Sequence, residues 1–426
     1  MSMKSFDCGT LIDGIANEPI RDAVVLVKDG IIEEIGPQES VSVPDNAEQI
    51  DHSNEIVIPG LIDAHVHLTG KQSMNPFQAL TTGRVESAAR ATADCRKLLD
   101  AGFTTVRDVG SGTALGLKAA INTGDIPGPR VFSSGPPINQ TGGHIDAHFL
   151  PIEWLDIDQS PHTRSNWFSD RILADGPAEC RKAARRNIRE GVDLLKIATT
   201  GGVISEKDHP QQQQYTDDEI AAITEEAHRV GIDVASHAQG SEGVKSALRN
   251  GVDTIEHGFY LDDKAIEMML ETDATFVPTL SVMHQIVTEG SDHGMPEYGL
   301  RKAREAWEAH IESTQSAYEA GVPIALATDF LGNEFTPYGK ENLLEAELFV
   351  EEIGMTEMDV VKAATSVAAR TIPDARVGGI KPGNHADFVA IDIDPLSDIS
   401  ALRETNTVYK GGHPGEASAP SYREEQ

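Results

Sequence analysis

Eight short runs rich in branched apolar residues recur through the middle of the chain, separated by helical stretches. The runs are Leu61 to His67, Thr104 to Val109, Arg130 to Gly135, Leu194 to Thr199, Asp233 to Ala238, Thr254 to Phe259, Thr275 to Leu280 and Ile324 to Asp329. Helices are predicted over Arg84 to Ala101, Pro177 to Glu190, Thr216 to Val230, Glu242 to Asn250, Asp262 to Glu271 and from about Tyr298 to Ala320. Their ends carry signals: Thr216-Asp217-Asp218-Glu219 is a capping box, and Ala101-Gly102, Glu190-Gly191, Val230-Gly231, Asn250-Gly251 and Ala320-Gly321 are glycine stops. This alternation over about 270 residues is the pattern of an α/β fold, a (β/α)8 TIM barrel. In such a barrel the chemistry sits at the C-terminal ends of the strands, so the strand ends are where functional residues are expected.

The two chain ends follow a different grammar. Asp22 to Val27 and Ile31 to Ile35 flank a Lys28-Asp29-Gly30 turn, while Ala386 to Asp392 and Asn406 to Lys410 precede a Lys410-Gly411-Gly412 turn. These are hairpin signals. One small β-sandwich domain is expected from residues 1–58 plus 377–426, with 59–376 forming the barrel. The connection from Pro136 to about Gly176 is too long for a plain loop and is expected to be a substrate lid.

Charge narrows the partners. The chain carries 35 Lys plus Arg against 68 Asp plus Glu, a formal net charge of −33. Such a field repels phosphate backbones and anionic membranes, so neither nucleic acid nor a membrane is expected as a partner. A hydrophobic content of 39% supplies a sizeable core and excludes the disordered class. No run approaches the ~18 consecutive apolar residues of a membrane helix. The first residues, Met1 to Asp7, lack the apolar core of a signal peptide, so a cytoplasmic location is expected. Cys8, Cys95 and Cys180 are odd in number and far apart, which indicates neither a disulfide framework nor a cysteine zinc site. The excess acid should repel itself at low salt and be screened at high ionic strength. A salt-adapted, halophilic protein is therefore expected, with an acidic but ordinary cytosolic enzyme as the alternative. The expected assembly is a homo-oligomer acting on a small-molecule substrate.

Chemistry-bearing residues gather at the strand ends. In Pro59-Gly60-Leu61-Ile62-Asp63-Ala64-His65-Val66-His67, residues two apart point to one side, so His65 and His67 can address one metal ion. The fourth run carries Lys196 among apolar residues, where an unpaired ammonium is costly to bury. The fifth carries His237, the sixth His257, and the eighth ends in Asp329. Taken singly, each has a bland alternative: a satisfied core histidine, a snorkelling lysine, a helix cap. Five of eight strands supplying such residues to one face favours a common site.

At these residues the chain resembles the amidohydrolase superfamily of metal-dependent hydrolases. The resemblance implies two divalent metal ions, with zinc as the default for such ligands and manganese or cobalt as alternatives. It implies His65, His67 and Asp329 on the first metal, His237 and His257 on the second, and a carboxylated Lys196 bridging both. Carbon dioxide would turn the buried lysine cation into a carbamate anion that the dications stabilise. A bridging hydroxide would attack the carbonyl, with Asp329 as general acid and base.

Within the superfamily the chain most resembles the branch of Xaa-Pro and related dipeptidases, with imidazolonepropionase and enzymes acting on N-acyl amino acids as further relations, which implies cleavage of an amide bond in a dipeptide or an N-acyl amino acid. The matching pieces are Gly102-Phe103-Thr104-Thr105-Val106-Arg107-Asp108, Thr141-Gly142-Gly143-His144, Lys196 to Val203, Gln214-Tyr215-Thr216, Ser236 to Gly240 and Glu256-His257-Gly258. That resemblance makes His144 and Tyr215 substrate-binding candidates, with His144 also catalytic through a hydrogen bond to the carbonyl oxygen. A packing role for Tyr215 stands beside this. Arg107 and Asp108 are expected in an internal ion pair at the end of the second strand. His148, His162, His209, His284 and His293 lie in loops and are not expected as ligands. Gly110 to Gly116 invites a dinucleotide reading, but its third glycine comes one residue late. Two other functions stay open: a mononuclear deaminase or cyclic amide or amidine hydrolase, and a non-catalytic structural relative.

Overall fold

The computed structural model describes residues 2–73, 75, 81–146, 148 and 171–415. Strands from both chain ends share one mixed sheet. From the N-terminal side come β1 (Met3–Leu11), β2 (Ile20–Lys28), β3 (Ile31–Pro37) and β4 (Glu48–Pro59). From the other end come β14 (Phe388–Ile391), β15 (Thr405–Lys410) and β16 (His413–Pro414), in the order β16-β15-β14-β4-β1-β2-β3. Asp29 and Gly30 turn β2 into β3 with φ of 49° and 80°, the doubly left-handed geometry that an Asp-Gly hairpin turn favours. The sheet curls on itself. Ile32 N–H donates to Asn384 O and Ala386 N–H to Gly30 O, which ties the β3 edge to the segment entering β14. Phe6 sits inside that curl, edge-to-face with Phe388 at 5.2 Å and Tyr409 at 5.0 Å. Such aromatic pairs contribute about 0.5–1.5 kcal/mol each beyond the area they bury.

Two parallel sheets fill the middle of the chain. β5 (Leu61–Val66), β6 (Phe103–Asp108) and β7 (Arg130–Ser133) form one. The other runs β13-β12-β11-β10-β8-β9, with β8 (Ile138–Asn139), β9 (Ile172–Leu173), β10 (Leu194–Ala198), β11 (Asp233–Gly240), β12 (Thr254–Tyr260) and β13 (Thr275–Val277). All five residues of β10 are buried, as a parallel strand covered on both faces requires. Helices Arg84–Asp100, Gly176–Glu190, Asp217–Arg229, Ser241–Arg249, Asp263–Thr272 and Glu297–Ala320 lie where the alternation predicts them. The capping box forms: Glu219 Oε2 accepts from Thr216 N–H at 2.7 Å. Gly191 and Gly321 end their helices at φ of 83° and 84°, conformations that a Cβ would strain.

Five features depart from the sequence reading. The run Ile324 to Asp329 forms no ladder strand; isolated bridges join Ile324 to Phe276 and Phe330 to Val66. This segment bonds alternately to its two neighbours: Ala325 N–H reaches Phe276 O on β13, while Ala64 N–H of β5 reaches Leu326 O. The seventh strand stops at Val277, because Pro278 has no N–H and Thr279 adopts φ of 58°. A helix, Leu280–Glu289, follows where a loop was expected. Another, Ala114–Asn122, follows the glycines at 110–112. Within the expected lid, β8 and β9 pair with each other, and residues 147 and 149–170 lie outside the described residues. Asp193 N–H donates to Ser133 O, linking β7 to the entry of β10. Among the described residues, no helix is long and apolar enough to cross a membrane.

Candidate active site

The C-terminal ends of β5, β10, β11 and β12 open into a cavity of about 270 Å³. His65 and His67 project from the end of β5 with ring centroids 5.3 Å apart. Asp329 meets them: its Oδ1 lies 3.3 Å from His65 Nε2 and 2.9 Å from His67 Nε2. One ligand atom from each of these three residues falls within 4.8 Å of the others, the geometry of a metal-binding cluster. Asp329 adopts φ of 57° and His257 φ of 78°. Left-handed backbone at non-glycine residues carries about 1–3 kcal/mol of strain and concentrates at functional sites.

His257 and His237 adjoin this cluster. Their rings are 4.6 Å apart, and His257 lies 5.2 Å from His65. Each has one nitrogen engaged: His237 Nε2 donates to Gly201 O at 3.1 Å, and His257 Nδ1 meets Thr279 Oγ1 at 2.8 Å. The opposite nitrogen of each is left for a ligand. Burial holds both imidazoles well below their ordinary pKa, which keeps them neutral and ligand-competent. Lys196, on β10 beside Ala235 of β11, also lines the cavity and is 3% exposed. Burial lowers its ammonium pKa to about 8. For Asp329, burial acts to raise the carboxyl, but the His65 and His67 imidazoles outweigh it and hold it well below the carboxylate range.

Around the cluster stands a buried polar frame that the sequence motifs only hinted at. Glu256 Oε2 lies 2.7 Å from His65 Nδ1, and Arg107 donates to both Glu256 oxygens at 2.8 and 2.9 Å. Arg107 is thus in an internal ion pair, but its partner is Glu256 and not Asp108. Asp108 instead accepts from Leu68 N–H at 2.7 Å and Ser111 Oγ at 2.5 Å, holding the loop after β5. Strict strand alternation would send Glu256 and His257 to opposite faces; the left-handed turn at His257 lets both reach the site. Asp63 accepts from His65 N–H, Thr328 and Asn342, clamping the ends of the two segments that carry His65 and Asp329. Gln239, two residues after His237 and on the same face, lines the cavity with its buried Oε1 unpaired among the described residues. Its motif was visible in the sequence, but nothing there marked that residue as an acceptor.

The substrate-binding candidates diverge. His144 stacks on His237 at 4.0 Å, lines the cavity and has Nδ1 2.8 Å from Ser205 Oγ, which in turn bonds Asp208. Burial depresses its pKa to about 4. A Cβ on Gly202 would overlap the His144 ring, which accounts for glycine there. Tyr215 does not reach the cavity. It is buried in the main core and its hydroxyl donates to Ala174 O at 3.2 Å, the position that the packing alternative describes. Of the loop histidines, His148 lines the cavity and His162 lies outside the described residues.

Parallel strands whose ends collect histidines and a carboxylate around one cavity define a metal-dependent hydrolase of the amidohydrolase type. The chain belongs to the amidohydrolase family, which it matches over residues 56–414; its members generally use divalent metals. It is 34% identical over 417 residues to ochratoxinase of Aspergillus niger, covering 95% of this chain and 85% of that protein. A crystal structure of a Xaa-Pro dipeptidase with bound methionine in the active site aligns with a TM-score of 0.84 and 33% identity, over 97% of this chain and 99% of the other. Imidazolonepropionase of Salinispora tropica is 23% identical over 386 residues, 87% of this chain and 86% of that protein.

Proposed function

We propose that the protein is a binuclear metal-dependent amidohydrolase that cleaves an amide or peptide bond in a dipeptide, a Xaa-Pro-like dipeptide or an N-acyl amino acid. The observation that carries this reading is the convergence of His65, His67 and Asp329 within 4.8 Å, with His237, His257 and Lys196 lining the same cavity. We read His65, His67 and Asp329 as ligands of one metal, His237 and His257 as ligands of the other, and Lys196, as its carbamate, as the bridge. The donor set suits zinc: neutral imidazoles plus carboxylate-type oxygens. The metals, when bound, supply Lewis acidity and a water of lowered pKa. Asp329 would serve as general base and acid, taking a proton from the attacking water and returning it to the leaving amine. His144 and Gln239 orient the substrate, and the buried frame of Glu256, Arg107 and Asp63 fixes the ligands. The two parallel sheets, linked through residues 323–330 and through Asp193, are read as one barrel over 59–376. The curled terminal sheet is read as the sandwich domain of 1–58 plus 377–426.

The test is a panel of dipeptides and N-acyl amino acids assayed with zinc or manganese at low and molar salt, alongside elemental analysis. Hydrolysis lost on chelation and restored by metal, at two ions per chain, is expected. Failure to cleave any member rules the proposal out. One observation favours a second reading: among the described residues only His65, His67 and Asp329 form a three-ligand cluster. Active protein holding one metal, indifferent to Lys196→Ala, would identify a mononuclear deaminase or cyclic amide or amidine hydrolase.

A further inference from the structure

One side of the cavity is built from a separate apolar cluster. Val203, Phe259, Met283, Ile286, Met295 and Phe335 pack together, are at most 8% exposed, and all line the cavity. They come from the loop after β10, from β12, from helix Leu280–Glu289, from the loop before helix Glu297–Ala320 and from the segment after Asp329. Phe259 brings this wall to the reacting centre, its ring 6.0 Å from that of His257. A charged group placed against these six side chains would lose hydration with no polar partner among them. An aromatic or branched aliphatic group would gain about 1.5–3 kcal/mol on full burial.

We propose that this wall is the specificity subsite and that it takes a large apolar group flanking the scissile bond. The inference rests on the amide-hydrolase reading. Its test uses two matched amide series in which either the acyl or the amine half is varied through glycine, alanine, leucine, phenylalanine and glutamate. In one series kcat/KM should rise by tenfold or more from glycine to leucine or phenylalanine and fall for glutamate, and Met283→Lys should erase the preference for leucine and phenylalanine and raise glutamate. Thermal shift of the metal-free protein with the free amino acids gives a readout without turnover, and phenylalanine and leucine should shift it more than glycine or glutamate. Hydrolysis or binding indifferent to the apolar group overturns the subsite while leaving the hydrolase reading intact. No hydrolysis in either series overturns the hydrolase reading and the subsite with it.

A second, independent observation concerns the turn after β13. Glu345 is fully buried and accepts from Leu280 N–H at 2.9 Å and Ser281 N–H at 2.6 Å, at the start of helix Leu280–Glu289. On the other side of the turn His310 Nε2 donates to Pro278 O at 2.9 Å. Between these anchors stands Thr279, held at φ of 58° with Oγ1 on His257 Nδ1. A β-branched residue keeps that conformation only where its surroundings impose it.

We infer that Glu345 is a positioning residue for His257, acting through Thr279. The inference takes His257 as a metal ligand. Zinc affinity of metal-free protein, measured by chelator competition, should fall about 10–100-fold in Glu345→Ala and in Thr279→Ala and be retained in Thr279→Ser. Should Glu345→Ala fail to fold, the Thr279 pair decides. Zinc affinity equal to the parent in Thr279→Ala overturns the inference, as does a Glu345→Ala protein that loses thermal stability alone. Unchanged zinc binding in His257→Ala overturns both the ligand assignment and the inference built on it.

Discussion

Glu256 braces His65 from behind: its Oε2 lies 2.7 Å from His65 Nδ1, with both side chains at most 1% exposed. The imidazole is thereby turned so that Nε2 faces Asp329. Glu256→Gln should lower zinc affinity about 10–100-fold with the fold retained, measured by chelator competition beside circular dichroism. Removing the other partner, in Arg107→Met, leaves a buried carboxylate with its main counter-charge gone. That change should cost about 3–5 kcal/mol in denaturant unfolding.

Asp329→Asn separates charge from geometry. Asparagine tolerates the left-handed φ of 57° that position 329 requires, so the backbone should stand. On the proposed mechanism this removes the general base, and kcat should drop about 10²–10⁴-fold with an unchanged melting temperature.

Tyr215→Phe deletes one buried hydroxyl that bonds Ala174 O. A loss of about 1 kcal/mol of stability with unchanged KM is expected. A raised KM would return Tyr215 to the binding site.

Glu226 collects guanidinium groups from Arg181 at 2.7 Å, Arg185 at 2.9 Å and Arg229 at 3.2 Å, joining the helices on either side of β10. The hydrogen bond from Arg185, followed by that from Arg181, lowers its pKa to about 2 from an ordinary 4.5. A depressed carboxyl contributes stability in full above its unfolded pKa and loses it as pH falls through the folded one. Thermal melts at low salt should therefore show Glu226→Gln less stable than the parent above about pH 4.5, with the gap closing toward pH 2.

The charge of −33 makes a prediction of its own. Melting temperature and activity should both rise from low to molar KCl as screening relieves self-repulsion. A flat salt series would leave an ordinary acidic enzyme.

Much of this architecture was legible in local pattern. Branched runs closed by glycine, the Thr216 capping box and the Asp29-Gly30 turn are short-range devices, and they fold as written because their partners lie within a few residues. His65, His67, Lys196, His237 and His257 could be placed at strand ends for the same reason: strand period and strand count fix the end and the face. The eighth segment was harder to read, since its bonding alternates between β13 and β5, two neighbours far away in sequence. The helix at Leu280 was missed because the cause of its start, Glu345, comes 65 residues later.

The sequence by itself therefore determined the alternation of strands and helices, the acidic surface and the kinds of residue brought to the strand ends. Tertiary structure alone decided which atoms face one another. Glu256 reaches His65 across 191 residues, Arg107 chooses Glu256 over its neighbour Asp108, and Tyr215 turns into the core. The reason is physical. Capping and pleat periodicity are properties of a few consecutive residues, whereas a buried charge takes whichever partner the packed sheets bring within about 3 Å.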